Sequence, residues 1–396
     1  MNIIFHIDAN SAYLSWTAVE RLKQGAREDI RRIRAAIAGD PKTRRGIILA
    51  KSDSAKACGV RTGETIQEAM KKCPGLTLFP PDHEMYARYS DAMYEVLSRY
   101  SPVIERYSID ECFLDYTASE ALFGPPLDVA FKLKEDIKTT LGFTVNIGVS
   151  VNKILAKMGS ELEKPDKVHS LFPGEIAEKM WPLPVGELFS IGRSARTKLI
   201  SSGIRTIGDA ARLDRKFLVA LLGEAHGATV HEYANGIDHS PVMPADEYDR
   251  KGIGNSTTTA YDVTTNAEAD KILLWLSDKV GTRLRKHGSY AKVISVSMRP
   301  ADFTKRAYGH QRRMDLPICS TDAIYAEARA LFREAWRGEP IRNMGIHFNE
   351  ITDSKEGQLS LFGYSASAEP EEAEDLDKAV DSIRERFGSG ALKRGL

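Results

Sequence analysis

A chain of 396 residues exceeds what one hydrophobic core organises, so two to four domains are expected. Hydrophobic residues at 42% and charged residues at 28% are globular proportions, which excludes a chain that is disordered or membrane-embedded as a whole. The formal net charge is zero, which taken alone argues against a polyanionic partner, yet the charges are unevenly placed. Between Arg21 and Arg45 nine Lys/Arg stand against three Asp/Glu, and between Arg283 and Arg313 nine against one. Glu369 to Asp381 holds seven acidic residues and one lysine and reads as a solvated tail. Two separated basic segments can grip a polyanion from two sides.

Taken in chain order, Asn2 to Ile7 reads as a buried strand ending in Asp8. Its apolar run is interrupted by His6 and is too short for a signal segment or a membrane span, so the protein is expected to stay in the cytoplasm. Asn10 to Lys23 has helical spacing through Tyr13, Trp16, Ala18 and Leu22. From Gly25 to Gly75 the sequence is basic and irregular, with a strand at Ile47 to Ala50 and a helix at Glu64 to Lys72 stopped by Pro74 and Gly75. A helix at Tyr86 to Tyr100, a strand pair at Val103 to Asp115, a helix at Ala130 to Thr140 and a strand at Thr144 to Ser150 follow. This order suits a split βαβ, ferredoxin-like sheet with helices on one face.

After Lys164-Pro165 the pattern changes to short helices broken by glycine, from about Pro173 to Gly236. His239 to Arg250, with Pro241 and Pro244, reads as a linker. Lys251 to Glu350 is again mixed α/β, with strands at Ala291 to Met298 and Met344 to Ile351 and helices at Asp270 to Lys286 and Asp322 to Trp336. The rest is polar, apart from an apolar knot at Leu359 to Phe362 and an amphipathic segment through Leu376, Ala379, Val380, Ile383 and Phe387. Cys58, Cys73, Cys112 and Cys319 form no CxxC pair or His-interleaved cluster, so neither a zinc site nor a disulfide framework is indicated.

Asp8, Asp110 and Glu111 each lie at or beside a predicted strand terminus, where a sheet can hold carboxylates in fixed relation. Three acidic groups suffice for a pair of Mg²⁺ ions, because Mg²⁺ binds through one or two carboxylates plus substrate phosphates and keeps several waters. In an ideal strand Asp110 and Glu111 face opposite sides, so they share a site only if the chain bends there.

Asp8 followed by Tyr13, and then Ser108-Ile109-Asp110-Glu111, resembles the two metal motifs of the Y-family translesion DNA polymerases, nearest their bacterial DNA polymerase IV branch. Asn146-Ile147-Gly148-Val149-Ser150, Asn152-Lys153, Ala156-Lys157 and Lys164-Pro165 are similar to that family's following strand and helix, in the same order. Each motif alone is weak, and the ordered set is specific. The resemblance covers about residues 1 to 362.

It implies an α+β multidomain fold: a ferredoxin-like palm (1–20 and 80–170), small fingers (21–79), a helical thumb with a helix-hairpin-helix (171–238), a linker (239–250), an α/β little finger that binds DNA (251–351) and a flexible tail (352–396). It further implies a template-directed, low-fidelity polymerase without proofreading, which adds dNTPs to a primer 3′-hydroxyl by two-metal-ion transfer during DNA damage tolerance. Asp8, Asp110, Glu111 and the carbonyl of Ala9 match the ligands of two Mg²⁺ ions. Tyr13 matches the steric gate against ribonucleotides, and Ala12, Tyr13, Lys56 and Lys164 the nucleotide site. Ile191, Gly192 and Arg193 match the hairpin that offers backbone amides to a phosphate, with Ser190 where the motif usually has its first glycine. Arg299, Arg312 and Arg313 are the expected DNA contacts of the second basic segment. Gln358, Leu359, Leu361 and Phe362 resemble a peptide that docks on the sliding clamp, the β subunit. The protein is then a monomer whose partners are primer-template DNA, dNTP and the clamp, with no membrane.

The fingers depart from the family pattern. Asp53 and Lys56 stand where relatives commonly place a Tyr and an Arg, which leaves one point charge in place of a bidentate fork. The palm motifs alone also suit a nucleotidyl cyclase-like enzyme, and the fold alone suits a catalytically impaired DNA-binding scaffold. The appended domains disfavour the first, and the intact carboxylates the second.

Overall fold

The computed structural model describes residues 2–40, 46–244, 252–354, 371–388, 390–392 and 394. The chain divides into two compact units, 1–39 with 46–248, and 249–396 with 40–45. No helix among the described residues is long and apolar enough to cross a membrane.

The first unit opens with β1 (Ile4–Ala9), α1 (Ala12–Lys23), β2 (Ala35–Ala38), β3 (Ile48–Lys51), α2 (Asp53–Ala57), α3 (Ile66–Lys72), β4 (Thr77–Phe79) and α4 (His83–Leu97). It continues with β5 (Ile104–Arg106), β6 (Glu111–Asp115), α5 (Glu120–Phe123), α6 (Pro126–Leu141), β7 (Val145–Ser150), α7 (Lys153–Glu161) and β8 (Val168–Ser170). A five-stranded sheet has the order β5-β6-β1-β7-β8, with β1 antiparallel to both its neighbours. A small sheet, β3-β2-β4, forms the part expected as fingers.

All six residues of β1 are buried, because the large sheet is covered on both faces. Phe5, Ile7 and Ala9 enter the core built with α4 and α6. Ile4, His6 and Asp8 face the other way, toward α7. The expectation of helices on one face is therefore corrected: α7 covers the second face. Gly148 of β7 permits this, since a Cβ there would lie 1.9 Å from the carbonyl oxygen of Ala156 and 2.4 Å from the amide nitrogen of Ser160, both on α7.

Short helices α8 (Ile176–Lys179), α9 (Arg193–Ser201), α10 (Ile207–Ala211), α11 (Arg215–Leu222) and α12 (Glu224–Ala234) share a core with α7 through Leu155, Leu199 and Val230. Residues 239–244, expected as the start of a linker, are strapped to the sheet. Glu105 accepts from the Met243 amide (2.9 Å), and Val242 packs with Ile4, Phe113 and Ala156.

In the second unit β9 (Ile253–Val263), α13 (Asn266–Lys286), β10 (Tyr290–Pro300), β11 (Tyr308–Ile318), α14 (Thr321–Ala335) and β12 (Ile341–Thr352) form an antiparallel sheet, β11-β10-β12-β9, with one face on α13 and α14. The sequence shows β10 and β12 by their apolar alternation, but not β9 or β11, whose alternation is largely polar. The tail expectation also needs correction. Glu371–Phe387 is a helix, α15, whose acidic stripe is its buried side. Asp377 is 1% exposed and pairs with Arg285 (3.0 Å) and with the Thr321 amide (2.6 Å), while Arg384 pairs with Asp278 (2.8 Å).

Gly148→Ala should cost about 3 kcal/mol, because the added methyl meets backbone rather than a movable side chain. Denaturant melts of the variant test this; a stability within 0.5 kcal/mol (roughly the scatter of neutral substitutions) would show that α7 can shift freely.

Candidate active site

Register brings the site together. Asp8 on β1 is the direct partner of Glu111 on β6 and of Asn146 on β7, so these three residues form one row across the sheet on the face that α7 covers. Asp110 precedes β6 in a bend. The amides of Tyr107 and Ser108 both donate to the Glu111 carbonyl, and the Ala9 amide donates to the Asp110 carbonyl (3.0 Å). Strand alternation therefore does not apply to Asp110, which is the bend that the sequence left open. Its carboxylate accepts from the Ser108 hydroxyl at 2.6 Å.

Two lysines from the covering segment face the row. Lys157 Nζ on α7 lies 2.6 Å from Glu111 Oε2, and Lys164 Nζ, in the turn after α7, lies 3.2 Å from Asp8 Oδ2 and 2.9 Å from Glu161. His6 is fully buried, with Nδ1 2.7 Å from Ser160 Oγ and Nε2 3.4 Å from Glu111. Burial pushes the Asp8 carboxyl up to about 7, against the opposing pull of Lys164. At Glu111 burial also pushes upward, but His6 and Lys157 together outweigh it and hold the carboxyl down at about 2. Burial lowers the His6 imidazole below its ordinary value. Among the described residues no group of three or more His, Cys, Asp or Glu side chains closes on one point as a finished metal cage. The carboxylates stand at adjoining strand ends instead, each turned to a cation or a hydroxyl.

Tyr13, one residue into α1 after Ala12, stacks on Tyr86 with ring centroids 4.2 Å apart and meets His83 edge-on. Burial, and after it the charge of Asp110, raise its phenol above the ordinary value. In the fingers, Asp53 and Lys56 lie on α2, capped by the Ser52 side chain. Lys51 was not singled out from sequence. Burial, followed by repulsion from Lys56, lowers its ammonium below the ordinary range, so two cations adjoin there. Lys157, His6, Asn10 and Asn146 also went unassigned, because only the register shows what they face.

Ser190 has φ +77°, the left-handed backbone that makes glycine usual at that point of the hairpin, and Gly192 caps α9 ahead of Arg193. Among the arginines of the second unit the structure separates what sequence grouped. Arg299 pairs with Asn343 on the sheet face away from the helices, with Ser295, Ser297, His347 and Asn349. Arg313 shares that face and pairs with Glu350. Arg312 is opposite Ile294 on the helix face, bound to Glu327 (2.8 Å) and Glu334 of α14, which removes it from the open polar face. Gln358, Leu359, Leu361 and Phe362 lie outside the described residues.

Comparison with known proteins decides the family. Residues 7–161 match the impB/mucB/samB family and residues 250–361 its C-terminal domain. DNA polymerase IV of Clostridium acetobutylicum is 45% identical over 395 residues, covering 100% of this chain and 98% of the relative. The chain belongs to the Y-family DNA polymerases, in their DNA polymerase IV branch. DNA polymerase IV of Acetivibrio thermocellus is 36% identical over 397 residues (100% of this chain, 97% of the relative), and DNA polymerase IV 1 of Bacillus subtilis is 32% identical over 395 (99% and 92%). A Y-family DNA polymerase chimera superposes with TM-score 0.77 over 89% of this chain and 100% of its own, at 22% identity, a likeness of fold. The protein is thus a DNA-directed DNA polymerase of the translesion class, a metal-dependent nucleotidyltransferase that acts on primer-template DNA and dNTP.

With Asp8 raised to about 7, a cation that binds this carboxylate must displace a proton below that pH and none well above it. Divalent-cation affinity of the DNA-free enzyme should fall about tenfold per pH unit below 7, with calorimetry in two buffers reading proton release at pH 6 and little at pH 8. Affinity that ignores pH would place Asp8 outside the cation site.

Proposed function

We propose that Asp8, Asp110, Glu111 and the Ala9 carbonyl hold two Mg²⁺ ions and that the enzyme joins a dNTP to a primer 3′-hydroxyl across them. The observation that carries the reading is the row in which Asp8 and Glu111 are adjacent, with Asp110 in the bend just before β6 and an ammonium ion against each of the row's two acids. The donor set is all oxygen, which fits a hard cation. Its open form fits Mg²⁺, which takes few carboxylates and completes its shell with phosphates and water. When bound, the ions would lower the pKa of the primer hydroxyl and neutralise the charge that develops on the leaving pyrophosphate.

The chain's own groups orient the reactants. Lys164, now against Asp8, would hold the incoming triphosphate, and Lys51 with Lys56 would supply charge from the fingers side. The Tyr13 ring, held by its stack on Tyr86, occupies the space of a ribose 2′-hydroxyl. Arg299, Arg313 and the amides at Ile191 to Arg193 contact DNA backbone, which positions the duplex without reading its sequence. Gln358 to Phe362 docks the polymerase, a monomer, on the sliding clamp. Synthesis is of low fidelity and without proofreading, so a mismatched primer end is extended or abandoned rather than excised.

Primer extension with Mg²⁺ tests this reading as a set. Asp110→Ala or Glu111→Ala should lower incorporation at least about 10³-fold while primer-template affinity changes less than about threefold. In the same assay Tyr13→Ala should raise ribonucleotide use, and alanine at Leu361 and Phe362 should remove only the stimulation by clamp. Extension at near wild-type rate by either carboxylate variant would sink the metal assignment. Unchanged sugar preference, or clamp stimulation that persists, would sink the corresponding role.

A further inference from the structure

The third member of the row, Asn146, has no part in the chemistry above, yet it is fully buried and every hydrogen-bonding position on its side chain is used. Its Nδ2 donates to the carbonyls of Ser160 (2.9 Å) and Glu163 (2.6 Å). Its Oδ1 accepts from Asn10 Nδ2 (3.0 Å) and from the Lys167 amide (3.3 Å). Asn10 in turn accepts the Asp166 amide on Oδ1 at 2.9 Å. The orientation of Asn146 is unique, because flipping the amide would set its NH₂ against the Lys167 N–H and its oxygen against two carbonyls.

These contacts fall on one stretch of chain. Residues 162–167 run from the end of α7 to β8 without helix or strand, and they carry Lys164. Two amides from the catalytic sheet hold that stretch through the backbone of Glu163, Asp166 and Lys167 and through the last turn of α7 at Ser160. On its outer side Lys134 and Lys138 each reach the Asp166 carboxylate at 2.7 Å. A lysine is a point charge on a flexible stem, so its aim depends on where its backbone is fixed.

We infer that Asn10 and Asn146 are positioning residues for nucleotide binding, a bracket that fixes the Lys164 turn to the row bearing Asp8 and so sets how far the ammonium stands from the incoming triphosphate. The inference rests on the reading of Lys164 as a triphosphate contact. It adds that an uncharged amide pair, acting through the backbone that carries Lys164, tunes the affinity for dNTP.

Single-nucleotide insertion kinetics on Lys164→Ala, Asn146→Ala, Asn10→Ala and the Lys164→Ala/Asn146→Ala double variant test it. Lys164→Ala should raise KM for dNTP about tenfold, and Asn146→Ala about fivefold with kcat within about twofold. In the Lys164→Ala background, Asn146→Ala should add less than about twofold, since its effect runs through the lysine. Asn10→Ala, which leaves the Ser160 and Glu163 ties in place, should give a smaller rise in KM with an almost unchanged melting temperature, and so serves if Asn146→Ala folds poorly. Asn146→Ala or Asn10→Ala effects that add in full to that of Lys164→Ala, or that fall on kcat and leave KM alone, would overturn the bracket. An unchanged KM in Lys164→Ala would instead overturn the reading of Lys164 itself.

Discussion

Helix α7 reaches the row of Asp8, Glu111 and Asn146 only because residue 148 has no side chain. The α7 backbone at Ala156 and Ser160 lies where a Cβ of Gly148 would be, so the helix rests directly on β7. This approach puts Lys157 at hydrogen-bond distance from Glu111 and starts the 162–167 turn where Lys164 meets Asp8. Packing here sets electrostatics, because the close approach of the helix is what brings both ammonium ions to the carboxylates.

The row also shows how a sheet tolerates buried carboxylates. Two acids side by side and largely out of water repel each other and favour protonation. Glu111 is kept ionised because His6 and Lys157 compensate its burial, whereas Lys164 compensates Asp8 only in part. The two acids of the row therefore differ in readiness, Glu111 charged and Asp8 balanced near neutrality.

In the second unit the same logic is turned to architecture. Asp377 and Asp381 of α15 pair with Arg285 and Asp377 also takes the amide at the start of α14, so they neutralise a cation that the linear sequence counts as available to a polyanion. Arg312 and Lys305 are likewise paired, with Glu327 and Glu339. The sheet face away from the helices is polar and hydroxyl-rich and carries Arg299 and Arg313, the latter paired with Glu350.

The sequence by itself determined the elements whose signal is local. The strand ending at Asp8, the helices at α1, α3, α6, α13 and α14, and the strands β7, β10 and β12 follow from apolar period, caps and stop residues, and the order of acidic motifs pointed to the family before any fold was known. Only the tertiary structure decided which residues stand beside Asp8. Glu111 and Asn146 come from strands more than a hundred residues away in sequence, and register between distant strands is set by the packing of whole faces rather than by neighbours along the chain. The same reason hid the second helical face of the palm, the inward acidic stripe of α15 and the opposite destinations of Arg312 and Arg313, since a charge count along a chain does not record which face a side chain joins.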